Sequence, residues 1–168
     1  MQHRKASWKQ VTGLAGIEGH WLRRKHFTPQ LLAQVAEHIG QSEAGHSGEL
    51  MLAIEAVSPR HEPDSRLRAL EVFGRLRVWD TPLDTGVLLY LALDKHHIHI
   101  VADRGVTASD DLWQAVCERL QERLKRKDYG PGLLAAIEDI EEILSSHCPP
   151  LPLDGDQANN LPDAPVML

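Results

Sequence analysis

The chain has 168 residues, 42% of them hydrophobic, and a formal net charge of −6 at pH 7, which suits one buried core of roughly 120 residues with appendages at both ends. No run approaches the roughly 20 apolar residues of a membrane span, and no apolar stretch resembling a signal sequence follows Met1-Gln2-His3-Arg4-Lys5, so a cytoplasmic address is expected. Cys117, inside an apolar helical pattern, and Cys148, beside Pro149-Pro150, make neither a disulfide framework nor a Cys-based zinc motif and read as ordinary thiols.

Residues 1–27 form a basic extension. Arg4, Lys5, Lys9, Arg23, Arg24 and Lys25 stand against Glu18 alone, with Trp8 and Trp21 among them. Cations and indoles together suit an anionic membrane surface or nucleic acid. The plainer reading is a solvated or self-docked segment with no specific nucleic-acid partner. A domain is expected over 28–148. Thr28 reads as an N-cap with Pro29 in the first turn, opening a helix through Leu31, Leu32, Val35 and Ile39 that stops at Gly40. Residues 49–57 are nearly continuous in apolar side chains, as in a strand covered on both faces. A second helix follows from about Asp64, with Leu67, Leu70 and Phe73 on its apolar side and arginines opposite.

Val87–Leu93 and His96–Ala102 read as two strands joined by the turn-prone pair Asp94-Lys95, a hairpin. Ser109 reads as the cap of a third helix with an apolar stripe of Leu112, Val116, Leu120 and Leu124, and Lys125-Arg126-Lys127 complement the dipole at its C-terminal end. Gly130-Pro131 ends it and starts a fourth helix carrying Leu133, Ile137, Ile140 and Leu144. Residues 149–168 read as a Pro/Asp/Asn-rich irregular tail whose end, from Leu161 to Leu168, is apolar enough to dock. The order α-β-α-β-β-α-α predicts a three-layer α/β/α sandwich with a mixed, mostly parallel sheet containing one hairpin.

This topology places carboxylates. A right-handed crossover makes the strand from Leu50 parallel to that from Val87, which puts Glu49 and Asp84 at one sheet edge, and the returning hairpin strand brings Asp103 there. Asp110, Asp111 and Asp80 stand within reach of the same edge, since strands are spaced roughly 4.8 Å apart. Acidic loops with backbone carbonyls and water suit a hard cation, calcium or magnesium. The alternative is solvated strand-end acids, with Asp110 and Asp111 only complementing a helix dipole.

Leu76-Arg77-Val78-Trp79-Asp80, then Gly86 to Leu91, then Val101-Ala102-Asp103-Arg104-Gly105 resemble the TPM domain family, also called TPM phosphatase domains. Gly48-Glu49 and Gly132-Leu133-Leu134 are similar to further family positions. The likeness covers about residues 28–147, and the tail near Pro162 resembles a stand-alone bacterial subgroup. It implies an α/β/α sandwich, divalent cations bound in loops at one sheet edge, and a disputed acid phosphatase activity seen in plant thylakoid members. Where the family usually has Asn-Asn-Gly before the second strand, this chain has Asp84-Thr85-Gly86, which adds a carboxylate and removes an amide. Many relatives carry a signal peptide and membrane anchor, features this sequence does not show.

Cysteine-phosphatase chemistry fits poorly. Cys117 and Arg123 have Cys-x5-Arg spacing, but the intervening residues are helical and include Glu118 and Glu122, whereas a phosphate cradle needs converging backbone N–H groups. Asp154-Gly155-Asp156 follows no strand, and Ala158 and Pro165 stand where an EF-hand needs ligands. His97 and His99 share one strand face while His96 points with Ile98 and Ile100; a third zinc ligand is not identifiable, so they read as partly exposed strand histidines. Two functions follow. One is a cation-binding, non-catalytic interaction or assembly module with an unidentified, membrane-associated protein partner. The other is a metal-assisted acid phosphatase acting on phosphomonoesters, with Asp103 or Asp84 as nucleophile or base and Arg104 countering charge. The metal ligands expected are Asp84, Asp103, Asp110, Asp80 and Glu49. The first reading is preferred because nucleophile, base and orienting group cannot be named together.

Overall fold

The computed structural model describes residues 14–151 and 159–168; the Asp154-Gly155-Asp156 run and the basic residues before Leu14 lie outside them. In chain order come α1 (Leu14–His26), α2 (Pro29–Ser42), β1 (Glu49–Glu55), α3 (Ser65–Arg75), β2 (Gly86–Ala92), β3 (His97–Ala102), α4 (Asp110–Lys125), α5 (Tyr129–His147) and β4 (Val166–Met167). The sheet order is β3-β2-β1-β4. Strands β1 and β2 run parallel with Glu49 opposite Gly86, and β2 pairs antiparallel with β3 with Val87 opposite Ala102.

Period-two alternation splits the apolar strands cleanly between two cores. Leu50, Leu52, Ile54, Val87, Leu89 and Leu91 face α2, α4 and α5, whose Val35, Ile39, Val116, Leu120, Ile137 and Leu144 complete one layer. Met51, Ala53, Leu88, Tyr90 and Ala92 face Ala69 and Val72 of α3, together with Val78 and Leu161. This is the expected α/β/α sandwich. Every residue of β1 and β2 is buried.

The caps behave as their chemistry requires. Thr28 Oγ1 accepts from Leu31 N at 3.3 Å, with Pro29 in the first turn. Asp64 caps α3 by accepting from Arg66 N at 2.8 Å. Ser109 holds the N-cap position of α4 in extended backbone but its side chain makes no capping bond.

Packing departs from the sequence pattern in four places. Helix α3 turns Leu67 and Leu70 to solvent, 52% and 49% exposed, and buries Ser65, Arg68, Ala69 and Val72. The reason is Glu55: a carboxylate on the sheet face beneath this helix needs a cation, and Arg68 supplies it. In α4, Trp113 enters the core and Leu112 stays 38% exposed, so the buried stripe is Trp113, Val116 and Leu120. The strand expected from His96 begins at His97, and His96 sits in the left-handed region (φ 54°) closing the turn Leu93–Lys95. Finally, packed structure continues past both expected boundaries: Leu22 and Phe27 join the larger core, and β4 pairs parallel with β1 at Ala53 and Ile54, with Leu168 N on Ile54 O at 2.9 Å.

Candidate functional site

The loops Asp84-Thr85-Gly86 and Asp103-Arg104-Gly105 meet at the sheet edge, joined through their main chains. Asp103 N donates to Gly86 O at 2.9 Å and Gly105 N to Asp84 O at 2.8 Å. Both glycines are required by close approach. A Cβ on Gly86 would lie 1.8 Å from Val78 O, and one on Gly105 would lie 2.1 Å from Leu83 O. Asp84 takes φ 55°, a left-handed conformation that Asp and Asn tolerate better than most side chains. Thr85 locks the junction to β1: its N donates to Thr81 Oγ1 at 2.9 Å, its Oγ1 donates to Ser47 O at 2.6 Å, and its carbonyl accepts from Glu49 N at 3.2 Å.

One residue touches both carboxylates. Arg104 N donates to Asp103 Oδ1 at 2.8 Å, and Arg104 Nε donates to Asp84 Oδ2 at 2.8 Å. The arginine side chain is 82% exposed. Asp84 thus meets the cation of its own hairpin end, and the pair lies on the surface where water weakens it.

The other expected ligands are placed differently. Glu49 is at the same edge, but its carboxylate is engaged by the tail: Oε2 accepts from Asn160 N at 3.0 Å and Leu161 N at 2.7 Å, and Oε1 accepts from Asn160 Nδ2 at 2.8 Å. Asp80 is exposed, 4.0 Å from Arg77 Nη1. Asp110 and Asp111 occupy the exposed first turn of α4. Among the described residues, no three His, Cys, Asp or Glu side chains are disposed to hold a metal ion.

Two buried polar clusters lie outside the expected metal ligands. Behind the edge, His46 Nδ1 accepts from Gly48 N at 3.1 Å, which leaves Nε2 to donate to buried Glu141 Oε2 at 2.6 Å. Nearby, Glu43 Oε1 accepts from Leu50 N at 2.9 Å. Burial, with Asp163, Glu141 and Glu49 adding negative charge, pushes the Glu43 carboxyl up to about 8 against the Leu50 hydrogen bond. On the opposite sheet face, Arg68 donates to Glu55 through Nε at 3.1 Å and Nη2 at 2.7 Å, and the Tyr90 hydroxyl donates to the same carboxylate. Ser65 Oγ bonds both His97 Nδ1 at 2.7 Å and His99 Nε2 at 2.8 Å, so the two histidines share a face as the strand period required. Glu55, an acid at the end of an apolar strand, was the available signal for the ion pair.

Burial pushes the Cys117 thiol up to about 11, away from the thiolate form. Arg123 is turned to Asp128 at 3.2 Å and donates to Pro131 O at 2.9 Å.

The fold and this edge define an α/β/α domain with two acidic turns locked together at the strand ends. The TPM domain profile matches residues 23–143, and the chain belongs to that family. Its fold is similar to the solution structure of BA42 from the psychrophilic bacterium Bizionia argentinensis, with a TM-score of 0.71 at 28% identity over 84% of this chain and 94% of that one. The N-terminal domain of cg2496 from Corynebacterium glutamicum shares the fold at a TM-score of 0.54 and 13% identity, over 77% of this chain and 82% of that one. The comparison with curated proteins returns no match.

Proposed function

We propose that this TPM domain is a non-catalytic interaction module whose acidic edge takes up calcium or magnesium between Asp84 and Asp103. The observation that carries the reading is the double contact of Arg104 with both carboxylates. Two carboxylates with water completing the shell suit magnesium or calcium, whereas zinc prefers nitrogen and sulfur ligands. Water weakens an exposed Arg–Asp pair, and the Arg104 side chain is largely exposed, so a divalent ion displaces it at little cost. In this reading Asp80 and Asp110 add negative charge around the ion rather than ligands, and Glu49 holds the tail. A protein partner is then met at an edge whose charge the ion has changed.

Thermal melting tests it. An ion at 100 times its dissociation constant adds about 2.7 kcal/mol to the folded state, several degrees for a chain of this size. Calcium or magnesium should raise the melting temperature relative to chelator, Asp84→Asn and Asp103→Asn should abolish the rise, and Arg104→Gln should enlarge it. Identical melting with ion and chelator would sink the proposal. Metal-dependent turnover of an aryl phosphate, lost in Asp103→Asn with the fold intact, would replace it with the phosphatase reading.

A further inference from the structure

Helix α1 is fixed to the domain by its back and presents a front whose apolar residues are about half exposed or more. Ala15, Gly19 and Leu22 are buried. At Gly19 a Cβ would lie 1.8 Å from Ala56 O, so the helix backbone rests directly on the residue that follows β1. Glu18 reaches His96 at 3.3 Å, which ties the flank to the hairpin turn. The opposite side carries Leu14, Ile17 and Trp21, at i, i+3 and i+7, exposed to 48%, 69% and 52%. Val57, 38% exposed, stands beside Gly16 on the helix flank.

The same helix ends in Arg23-Arg24-Lys25-His26 with no acid in its first turn. Arg24 continues the outward row one turn beyond Trp21, and Lys25 lies over the Trp21 ring with Nζ 4.4 Å from its centroid. An aliphatic strip, an indole and flanking cations on one helix face match the layers of an anionic bilayer: aliphatic groups at the acyl boundary, indole at the headgroups, and basic side chains extended to phosphate and carboxylate. A protein interface places few lysines at its centre, and phosphate recognition on nucleic acid leaves Leu14 and Ile17 without a role.

We infer that the outer face of α1 is a docking surface for an anionic phospholipid membrane, which it meets lying in the interface plane rather than spanning it; no helix among the described residues is long and apolar enough to cross a bilayer. This site lies on α1 and is independent of the cation-binding reading of Asp84 and Asp103.

Co-sedimentation of the full chain with phosphatidylcholine vesicles, with and without phosphatidylserine, tests the inference. Binding should appear with phosphatidylserine, fall as salt is raised, and persist in chelator. Arg24→Glu/Lys25→Glu and, separately, Ile17→Ser/Trp21→Ser should each weaken partitioning about tenfold or more. Circular dichroism should be unchanged, because none of the four side chains belongs to the buried core. Absence of binding to the phosphatidylserine vesicles, or binding that both double variants retain, would overturn it. So would capture of an RNA oligonucleotide with loss only in the charge variant and none in the apolar one, which would mark the surface as one for nucleic acid.

Discussion

A carboxylate taken out of water requires a compensating cation, and Glu55, 4% exposed, obtains one from Arg68, likewise 4% exposed. Removing Arg68 leaves Glu55 buried without a cation, so Arg68→Ala is expected to cost about 3–5 kcal/mol in urea unfolding, and Glu55→Ala less, because Glu71 lies 3.0 Å from Arg68 Nη1 and keeps that cation paired. A paired replacement by apolar residues of similar volume should recover most of that loss, because neither desolvated charge remains. Glu43 has a pH signature of its own. Its folded pKa is raised, from 4.5 to about 8, by burial first and then by Asp163, Glu141 and Glu49. Between those values the folded state binds more protons than the unfolded state, so the contribution of Glu43 falls as pH rises through this window and levels off above it. Glu43→Gln should flatten that part of a stability–pH profile; an unaltered slope would refute the assignment.

At the scale of elements, the tail and the first strand depend on each other. Two backbone N–H groups, from Asn160 and Leu161, end on Glu49, and β4 follows on Ala53 and Ile54. Glu49→Ala orphans those donors, at about 1–3 kcal/mol for a buried group left unsatisfied. Limited proteolysis should then cut the 159–168 segment faster than in the parent chain, while the core elements resist as before. The same logic explains why α3 rotates away from its apolar residues. Burying Leu67 and Leu70 would gain apolar contact, yet it would strand Glu55 without a partner, and an unpaired buried charge costs more than two exposed leucines.

Across the whole molecule, stability should be graded from the middle layer outward. Strands β1 and β2 are buried along their full lengths, whereas β3 is half-buried and β4 pairs through only two residues. Native-state hydrogen exchange should therefore find the slowest amides in β1 and β2, and faster exchange in α1 and β4. Protection of β4 equal to that of β2 would contradict this gradient.

Much of this architecture was legible in the residues themselves. The nearly continuous apolar run over 49–57, Thr28-Pro29 at a helix start, and the short Asp94-Lys95 connection are local signals, and with the handedness of the crossover they sufficed for the sandwich, its hairpin and the meeting of the Asp84 and Asp103 loops. Family motifs then tied that edge to the TPM domain. Only the tertiary structure decided that Arg104 reaches both carboxylates, that Glu49 belongs to the tail, that Arg68 displaces leucines from the inner face of α3, and that α1 turns Ile17 and Trp21 outward. Periodicity reports how often side chains prefer to leave water, which is a property of neighbours in sequence. Which buried charge finds which partner depends on groups brought together from distant parts of the chain, such as Glu49 with Asn160 or Glu55 with Arg68.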